Sequence, residues 1–158
     1  MRHAALAFLA FALAACASEP SQSDAAGLAL EKIVIDTASG PKPFTVEIAA
    51  TPDSQERGLM YRTQMAPDAG MLFDFRHSQM ASFWMKNTIL PLDMLFVRQD
   101  GTISTITADA KPYSLDIISS LEPVRAVIEI NGGRAKALGI AAGDKVHAGI
   151  FGNAPFLR

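Results

Sequence analysis

Apolar and polar residues alternate with a period of two along much of the chain. The segments "EKIVID" (residues 31–36) and "FTVEIA" (44–49) follow this pattern on either side of "TASGPKP", which predicts a β-hairpin. Further strand-like segments are "GMLFDF", "ASFWM", "DMLFVRQ", "TISTIT", "VRAVIEI" and the terminal "AGDKVHAGI". Asp100-Gly101 separates two of them and is a strong hairpin signal.

A short helix is predicted in "TPDSQERGLMYR" (residues 51–62). Thr51 can cap its N-terminus and Pro52 suits the first helical position. The helix should end near Gly58, or continue for one turn. A second helical turn is expected in "NGGRAKALGI". Seven or eight short strands with one or two short helices predict a mainly β (α+β) fold, either an antiparallel jelly-roll-like sandwich or an irregular barrel.

The N-terminus carries a targeting signal. Residues 1–15 have the basic start and apolar run of a secretory signal peptide, and they are too short to span a bilayer. The "LAAC" that ends at Cys16 resembles the bacterial lipoprotein box, which implies cleavage before Cys16 and acylation of that residue. We therefore expect an acylated cysteine with a flexible tether over residues 16–29 and a single domain over 30–158.

The expected location is the periplasm, with the lipid bilayer as a partner through acylated Cys16. Ala17 and Ser18 follow the cysteine, and neither is the aspartate that resembles an inner-membrane retention signal. An outer-membrane anchor is therefore favoured over an inner-membrane one. A flexible tether of this length would place the domain roughly 20 Å from the bilayer.

Composition narrows the possible functions. The chain has a formal net charge of −2, and loss of the signal removes Arg2 and shifts the charge to −3, so we expect no nucleic-acid partner. Cys16 is the single cysteine, which excludes an intramolecular disulfide. The sequence has no G-x-S-x-G motif, phosphate loop or metal-ligand triplet. It therefore predicts no cofactor and favours binding over catalysis.

Six ordered motifs resemble those of the DUF192 family, a group of small, often exported domains with no established activity. They are "ERGLMYR", "GMLFDF", "FWMKNTILPLDMLFV", "DGTI", "VIEINGG" and "GI...GDKV". The resemblance as a whole runs from about Lys32 to His147. The resemblance implies a jelly-roll-like β-sandwich. It implies no reaction.

The most unusual segment is "ASFWMKNTILPLDMLFV" (residues 81–97), which places polar groups within an apolar region. Trp84, Lys86 and Asn87 stand at the end of a predicted strand, where side chains can reach a cleft. Alternation puts Asp93 on a face with two apolar residues, so we expect it to be partly buried beside a cation such as Lys86, Arg57 or Arg62. We expect these residues to form a polar network or to bind an anionic or polar small ligand, such as a cell-wall or saccharide fragment.

Glu129 in "VRAVIEI" is the last candidate of this network. It shares a predicted strand face with Arg125 and Val127. If Asp93 and Glu129 flanked an open groove, they could instead act as an acid/base pair in a periplasmic enzyme. A further alternative is a Met-rich Cu(I)-binding protein, because six of the seven methionines lie between residues 60 and 94. Packing of these methionines in the core is the simpler interpretation.

Overall fold

A computed structural model gives the structure of the protein and describes residues 27–154. The predicted signal peptide, Cys16 and the tether up to residue 26 lie outside this range. The elements are, in chain order, β1 (Leu30–Thr37), β2 (Gly40–Ala49), α1 (Pro52–Arg57), β3 (Ala69–Gln79), β4 (Ser82–Phe83), β5 (Leu92–Val97), β6 (Ile103–Ala110), β7 (Ile118–Ser119), β8 (Val124–Asn131), α2 (Arg134–Leu138) and β9 (Lys145–His147), followed by a 3₁₀ turn (Gly149–Phe151).

Seven strands form one curled sheet with the order β6-β5-β8-β3-β2-β1-β9, a half-barrel. At one end its two edges meet, because Thr102 before β6 bridges Lys145 of β9 and the Val146 amide donates to the Gly101 carbonyl at 2.8 Å. The predicted mainly β fold with two short helices is confirmed.

One pairing differs from the antiparallel arrangement that the hairpin signals predict. Strands β2 and β3 run parallel, with Thr45 opposite Ala69 and Ala49 opposite Phe73. The intervening segment contains α1 and carries the chain back to the end of the sheet where β2 began. A parallel neighbour requires such a crossover, which alternation within a strand does not reveal.

The predicted strand in "ASFWM" is short, because only Ser82 and Phe83 form a ladder. Their partners are Ser119 and Ile118 of β7, which lies between the predicted strands "TISTIT" and "VRAVIEI". The two-residue β4–β7 ladder packs outside the main sheet. It supplies part of the wall of the candidate site.

The sheet is buried on both faces at its centre. One cluster, which includes Ile33, Leu95 and Ile128, occupies the inner side of the curl. The other, which includes Met71 and Phe96, lies between the sheet and the layer formed by α1 and β4. Alternation along β5 therefore sends neighbouring residues into different clusters, as the sequence predicts.

Candidate functional site

The floor of the candidate site is the carboxyl group of Glu129. This residue lies on β8, at the centre of the sheet, opposite Met71 of β3 and Met94 of β5. Only 4% of Glu129 is exposed. Within residues 27–154 its carboxyl group makes no hydrogen bond or ion pair, and burial raises its pKa to about 8. At neutral pH the group therefore carries a proton and offers both a donor and an acceptor.

A cavity of about 250 Å³ opens above this carboxyl group, and we call it the Glu129 cleft. Four aromatic side chains form one part of its wall. Phe73 and Phe83 meet edge to face with ring centroids 5.0 Å apart, and Phe75 and Trp84 extend the apolar surface. A buried carboxyl group on an apolar floor is the usual form of a small-ligand site with one polar anchor.

Helix α1 forms the opposite wall. The Thr51 hydroxyl accepts from the Ser54 amide at 3.2 Å and the Ser54 hydroxyl accepts from the Thr51 amide at 3.0 Å, so the predicted cap is present as a capping box. The Gln55 side chain donates to the carbonyls of Ala49 at 3.1 Å and Asp74 at 2.8 Å. These bonds hold the helix against the ends of β2 and β3.

A buried ion pair lies beneath this wall. The Arg125 guanidinium binds the Asp74 carboxylate, and the Arg76 amide donates to the same carboxylate at 2.7 Å. Burial favours a higher pKa for Asp74, but these hydrogen bonds outweigh it and lower the pKa below its ordinary value. Arg125 is therefore paired with Asp74, and within residues 27–154 it makes no ion pair with Glu129.

Arg57 stands at the rim of the cleft. It ends α1 and also borders two adjoining cavities. Its side chain is exposed, and it makes no ion pair with any residue in the described range. Arg57 and the exposed Glu56 next to it lie at the mouth, and a protonated acid lies on the floor, so the two ends of the cleft carry different polar groups.

Trp84, Lys86 and Asn87 lie together in a cavity beside the Glu129 cleft. The Lys86 ammonium lies 4.9 Å from the centroid of the Trp84 ring. Asn87 has a positive φ of 57°, and its amide donates to the Tyr61 hydroxyl at 2.8 Å. Tyr61 itself has a φ of 65° and donates its N–H to the Asn87 carbonyl at 2.9 Å. Two strained residues thus hold each other beside the mouth.

Asp93 lies away from this group. It is fully buried on the inner face of the sheet, and in place of a cation it binds three backbone N–H groups. These belong to Asp109 at 2.8 Å, Gly133 at 2.9 Å and Ala135 at 2.7 Å. The expected ion pair with Lys86, Arg57 or Arg62 is corrected accordingly, because the N-terminal amides of α2 satisfy the carboxylate.

The remaining candidate, Arg62, forms a two-point ion pair with Glu47 of β2. It lies at a neighbouring cavity with Leu28 and Arg57. The structure therefore brings Arg57, Trp84 and Glu129 to one cleft, places Lys86 and Asn87 beside it, and separates Arg62 and Asp93 from its floor.

The sheet also separates the two carboxyl groups that the enzyme alternative requires. Asp93 faces the inner cluster with Leu95, while Glu129 is flanked by Met71 and Met94 on the outer face. They share no groove. In residues 27–154 the structure contains no group of three or more His, Cys, Asp or Glu side chains that could hold a metal ion.

The methionines divide by environment. Met71, Met85 and Met94 are fully buried in the outer cluster, as core packing requires. Met60 and Met80 border the Glu129 cleft. Of the aromatic wall residues, the sequence predicted only Trp84 as a site residue, because Phe73, Phe75 and Phe83 have the pattern of ordinary core positions. The alternation of Phe73 and Phe75 with Asp74, close to a glycine-ended helix, was the available signal.

The chain belongs to the DUF192 family, described as an uncharacterized ACR, whose sequence model matches residues 33–148. A solved structure from Sinorhizobium meliloti 1021, described as a proposed transcription regulator, has 52% identity and a TM-score of 0.76 over 78% of this chain and 96% of that one. A protein of unknown function from Novosphingobium aromaticivorans DSM 12444 has 40% identity and a TM-score of 0.79 over 87% of this chain and 99% of that one. No curated protein matches the chain.

None of the helices within the described part of the chain is long and apolar enough to cross a membrane.

Proposed function

We propose that this DUF192 protein is a small-ligand-binding protein whose ligand occupies the Glu129 cleft. The observation that carries the proposal is the buried Glu129 carboxyl group without a partner among residues 27–154. The carboxyl group is largely withdrawn from bulk water but opens onto the cleft, where a ligand could hydrogen-bond to it. The aromatic wall would contribute apolar contact.

The two polar ends of the cleft define the ligand class. Protonated Glu129 complements a neutral amide or hydroxyl group. Arg57 at the rim, which makes no ion pair within residues 27–154, complements a carboxylate or phosphate. Phe73, Phe83 and Trp84 suit the apolar face of a ring. A small acidic amino sugar, of the kind found in cell-wall fragments, has all three features and a size suited to about 250 Å³.

Binding of N-acetylmuramic acid and of N-acetylglucosamine, measured by calorimetry on the purified protein, tests the proposal. These two sugars share the ring and the acetamido group, but the second lacks the carboxylate. We expect Glu129→Leu to abolish binding of both sugars. Arg57→Gln should weaken binding of the acidic sugar by roughly tenfold and leave binding of the neutral sugar unchanged. Lys32→Gln removes an exposed cation elsewhere and should change neither affinity.

Glu129→Gln supplies the chemical control, because glutamine keeps a neutral donor and acceptor at the same position. It should retain binding at pH 7 and should keep it above pH 8, where the wild-type group loses its proton. Equal affinities for Glu129→Leu and the wild type would contradict the proposal. The proposal would also be contradicted if neither sugar and no other small acid of this class bound to the protein.

Binding is preferred to catalysis because Asp93 and Glu129 lie on opposite faces of the sheet. The Sinorhizobium relative is described as a proposed transcription regulator, but the charge and the helices of this chain do not favour binding to nucleic acid. The formal net charge is −2, and the two helices, of six and five residues, are shorter than a groove-reading helix.

We also propose that the protein is a periplasmic lipoprotein anchored through acylated Cys16. We place the anchor in the outer membrane rather than in the inner membrane. The sequence "LAAC" and the residues after it support this address. Cys16 lies outside the described residues, so the proposal depends on the sequence and on the fractionation experiment given in the Discussion.

A further inference from the structure

Large apolar side chains are exposed in one region around the Glu129 cleft. Seven such residues are between 43% and 82% exposed. They are Tyr61, Met80, Trp84, Tyr113, Leu115, Ile117 and Leu121, and we refer to them together as the apolar rim. Single exposed apolar residues are ordinary on a protein surface, but a contiguous set marks an interaction surface.

Three chain segments contribute to the rim, and hydrogen bonds hold them together. The Met85 amide donates to the Ser114 carbonyl at 3.0 Å, and the Ser120 amide donates to the Ala81 carbonyl at 2.9 Å. The β4–β7 ladder lies between these two contacts. The contacts of Tyr61 described above attach the remaining segment. The seven residues therefore belong to one surface.

This surface borders the mouth of the cleft. Met80 and Trp84 line the Glu129 cleft itself, and Tyr61 and Trp84 line the adjoining cavity. The Tyr113 amide donates to the Thr88 carbonyl at 3.2 Å, and Thr88 also lines the cleft. Whatever covers the apolar rim must therefore face the entrance of the binding site.

The start of the described chain lies on the same side. Leu28 packs against the outer cluster and lines a cavity with Arg57 and Gly58, which also border the Glu129 cleft. Leu28, near the start of the described range, therefore lies beside the α1 wall. The segment from Cys16 to Gly27 has an expected end-to-end distance of roughly 20 Å. An anchor at Cys16 thus holds the membrane within reach of the rim.

We propose that the apolar rim docks onto the surface of the bilayer that anchors Cys16, so that the Glu129 cleft opens toward the lipid headgroups. This inference rests on the lipid anchor proposed above. Tryptophan and tyrosine favour the membrane–water interface, where an apolar ring and a polar tip are both satisfied. Lys86 beside Trp84 places a cation where it can meet a phosphate headgroup. The ligand then enters from the interface.

Trp84 makes the proposal measurable, because it is the single tryptophan in the chain. The full acylated protein is reconstituted in vesicles of phosphatidylethanolamine and phosphatidylglycerol, with and without bromine on the acyl chains near the headgroups. Bromine quenches tryptophan only at short range. Docking should reduce Trp84 emission by roughly half in brominated vesicles and shift it to shorter wavelength.

A charge-matched pair of variants separates docking from anchoring. Leu115→Asp/Ile117→Asp places two acids in the rim and should remove most of the quenching, while the protein still floats with the vesicles. Ala38→Asp/Ala142→Asp places two acids on exposed turns at the far end of β1. This control should float and remain quenched like the wild type.

The possible outcomes assign each failure to one proposal. A protein that carries acyl chains and floats but is not quenched overturns the docking inference and leaves the anchor intact. A blue shift without bromine quenching, increasing with protein concentration, means that a second copy covers the rim, and it also overturns the inference. If mass spectrometry finds no acyl chains on the protein but Trp84 is still quenched, the result supports docking and contradicts the anchor. If neither acylation nor quenching is found, both proposals fail.

Discussion

At the scale of single residues, Glu129 is the least typical feature of the fold. Met71 and Met94 flank its carboxyl group, and no described side chain pairs with it. An apolar residue of similar volume at this position would stabilise the protein, because it would remove a buried polar group. Retention of an acid against stability is typical of functional sites.

The raised pKa of Glu129 predicts a specific pH dependence of stability. Between its ordinary pKa and about 8, the folded protein holds a proton that the unfolded chain has lost. The free energy of unfolding should therefore fall as pH rises through this window, by up to about 1.4 kcal/mol per pH unit. Glu129→Gln does not titrate, so its stability should fall much less over the same range. Urea denaturation of both proteins at several pH values measures the difference.

Asp74 does not interfere with this measurement. Its pKa is lowered, so its stabilising contribution is complete above the ordinary aspartate pKa and is lost only at lower pH. The comparison is therefore made above about pH 5. Parallel stability profiles for the wild type and Glu129→Gln would show that the carboxyl group is ionised or solvated in the folded protein.

At the scale of elements, two short helices are positioned by polar groups rather than by apolar area. Helix α1 has no buried residue and is held by its capping box and the Gln55 bonds. Gly58 ends it with φ 47° and ψ −134°, and a Cβ there would approach the Phe73 ring to 3.3 Å. This close approach brings the α1 wall onto the aromatic wall and sets the width of the Glu129 cleft.

Helix α2 depends on Asp93 in the same way. The carboxylate accepts bonds from two amides at the helix start and from Asp109. In Asp93→Asn one carbonyl oxygen remains for three N–H donors, and the NH₂ group faces these donors. We therefore expect the free energy of unfolding to fall by about 2 to 4 kcal/mol. Urea denaturation with an unchanged slope measures it.

Asp68→Asn is the matched control for this substitution, because Asp68 is exposed. It should change stability by less than about 0.5 kcal/mol. A loss from Asp93→Asn no larger than that of the control would show that water satisfies the α2 amides. It would then remove Asp93 from the set of residues that determine the fold.

At the scale of the whole molecule, the curled sheet separates stability from function. The inner cluster and the contacts of Asp93 hold the strands, while the outer face carries the Glu129 cleft. The cleft, the apolar rim and the start of the described chain all lie toward the same side. A protein held by its N-terminus would thereby present its site to the membrane.

The proposed address predicts the behaviour of Cys16→Ser. Without the thiol no diacylglyceryl group can be attached, so the variant should remain as uncleaved precursor or appear as a soluble periplasmic product. Labelling with a radioactive fatty acid, followed by membrane fractionation, measures this outcome. The wild type should carry the label in the membrane fraction. Label retained by Cys16→Ser would refute the lipoprotein interpretation.

Local patterns were sufficient to predict most elements. The Thr51 cap and Pro52 start of α1, the Asp100-Gly101 turn and the alternation of β5 all match the structure. Each depends on neighbours a few residues apart in the chain, so the sequence contains the complete interaction. The family motifs could likewise be read from the chain, and the family match confirms them.

Contacts between distant segments decided the rest. The partners of Asp93 lie 16 to 42 residues away, and they are backbone amides, which no side-chain pattern identifies. The parallel pairing of β2 with β3 and the β4–β7 ladder depend on the path of the connecting loops. The sequence places Glu129 on a strand face, but only its burial between β3 and β5 raises its pKa. Desolvation depends on what surrounds a group in space, and that is a property of the tertiary structure.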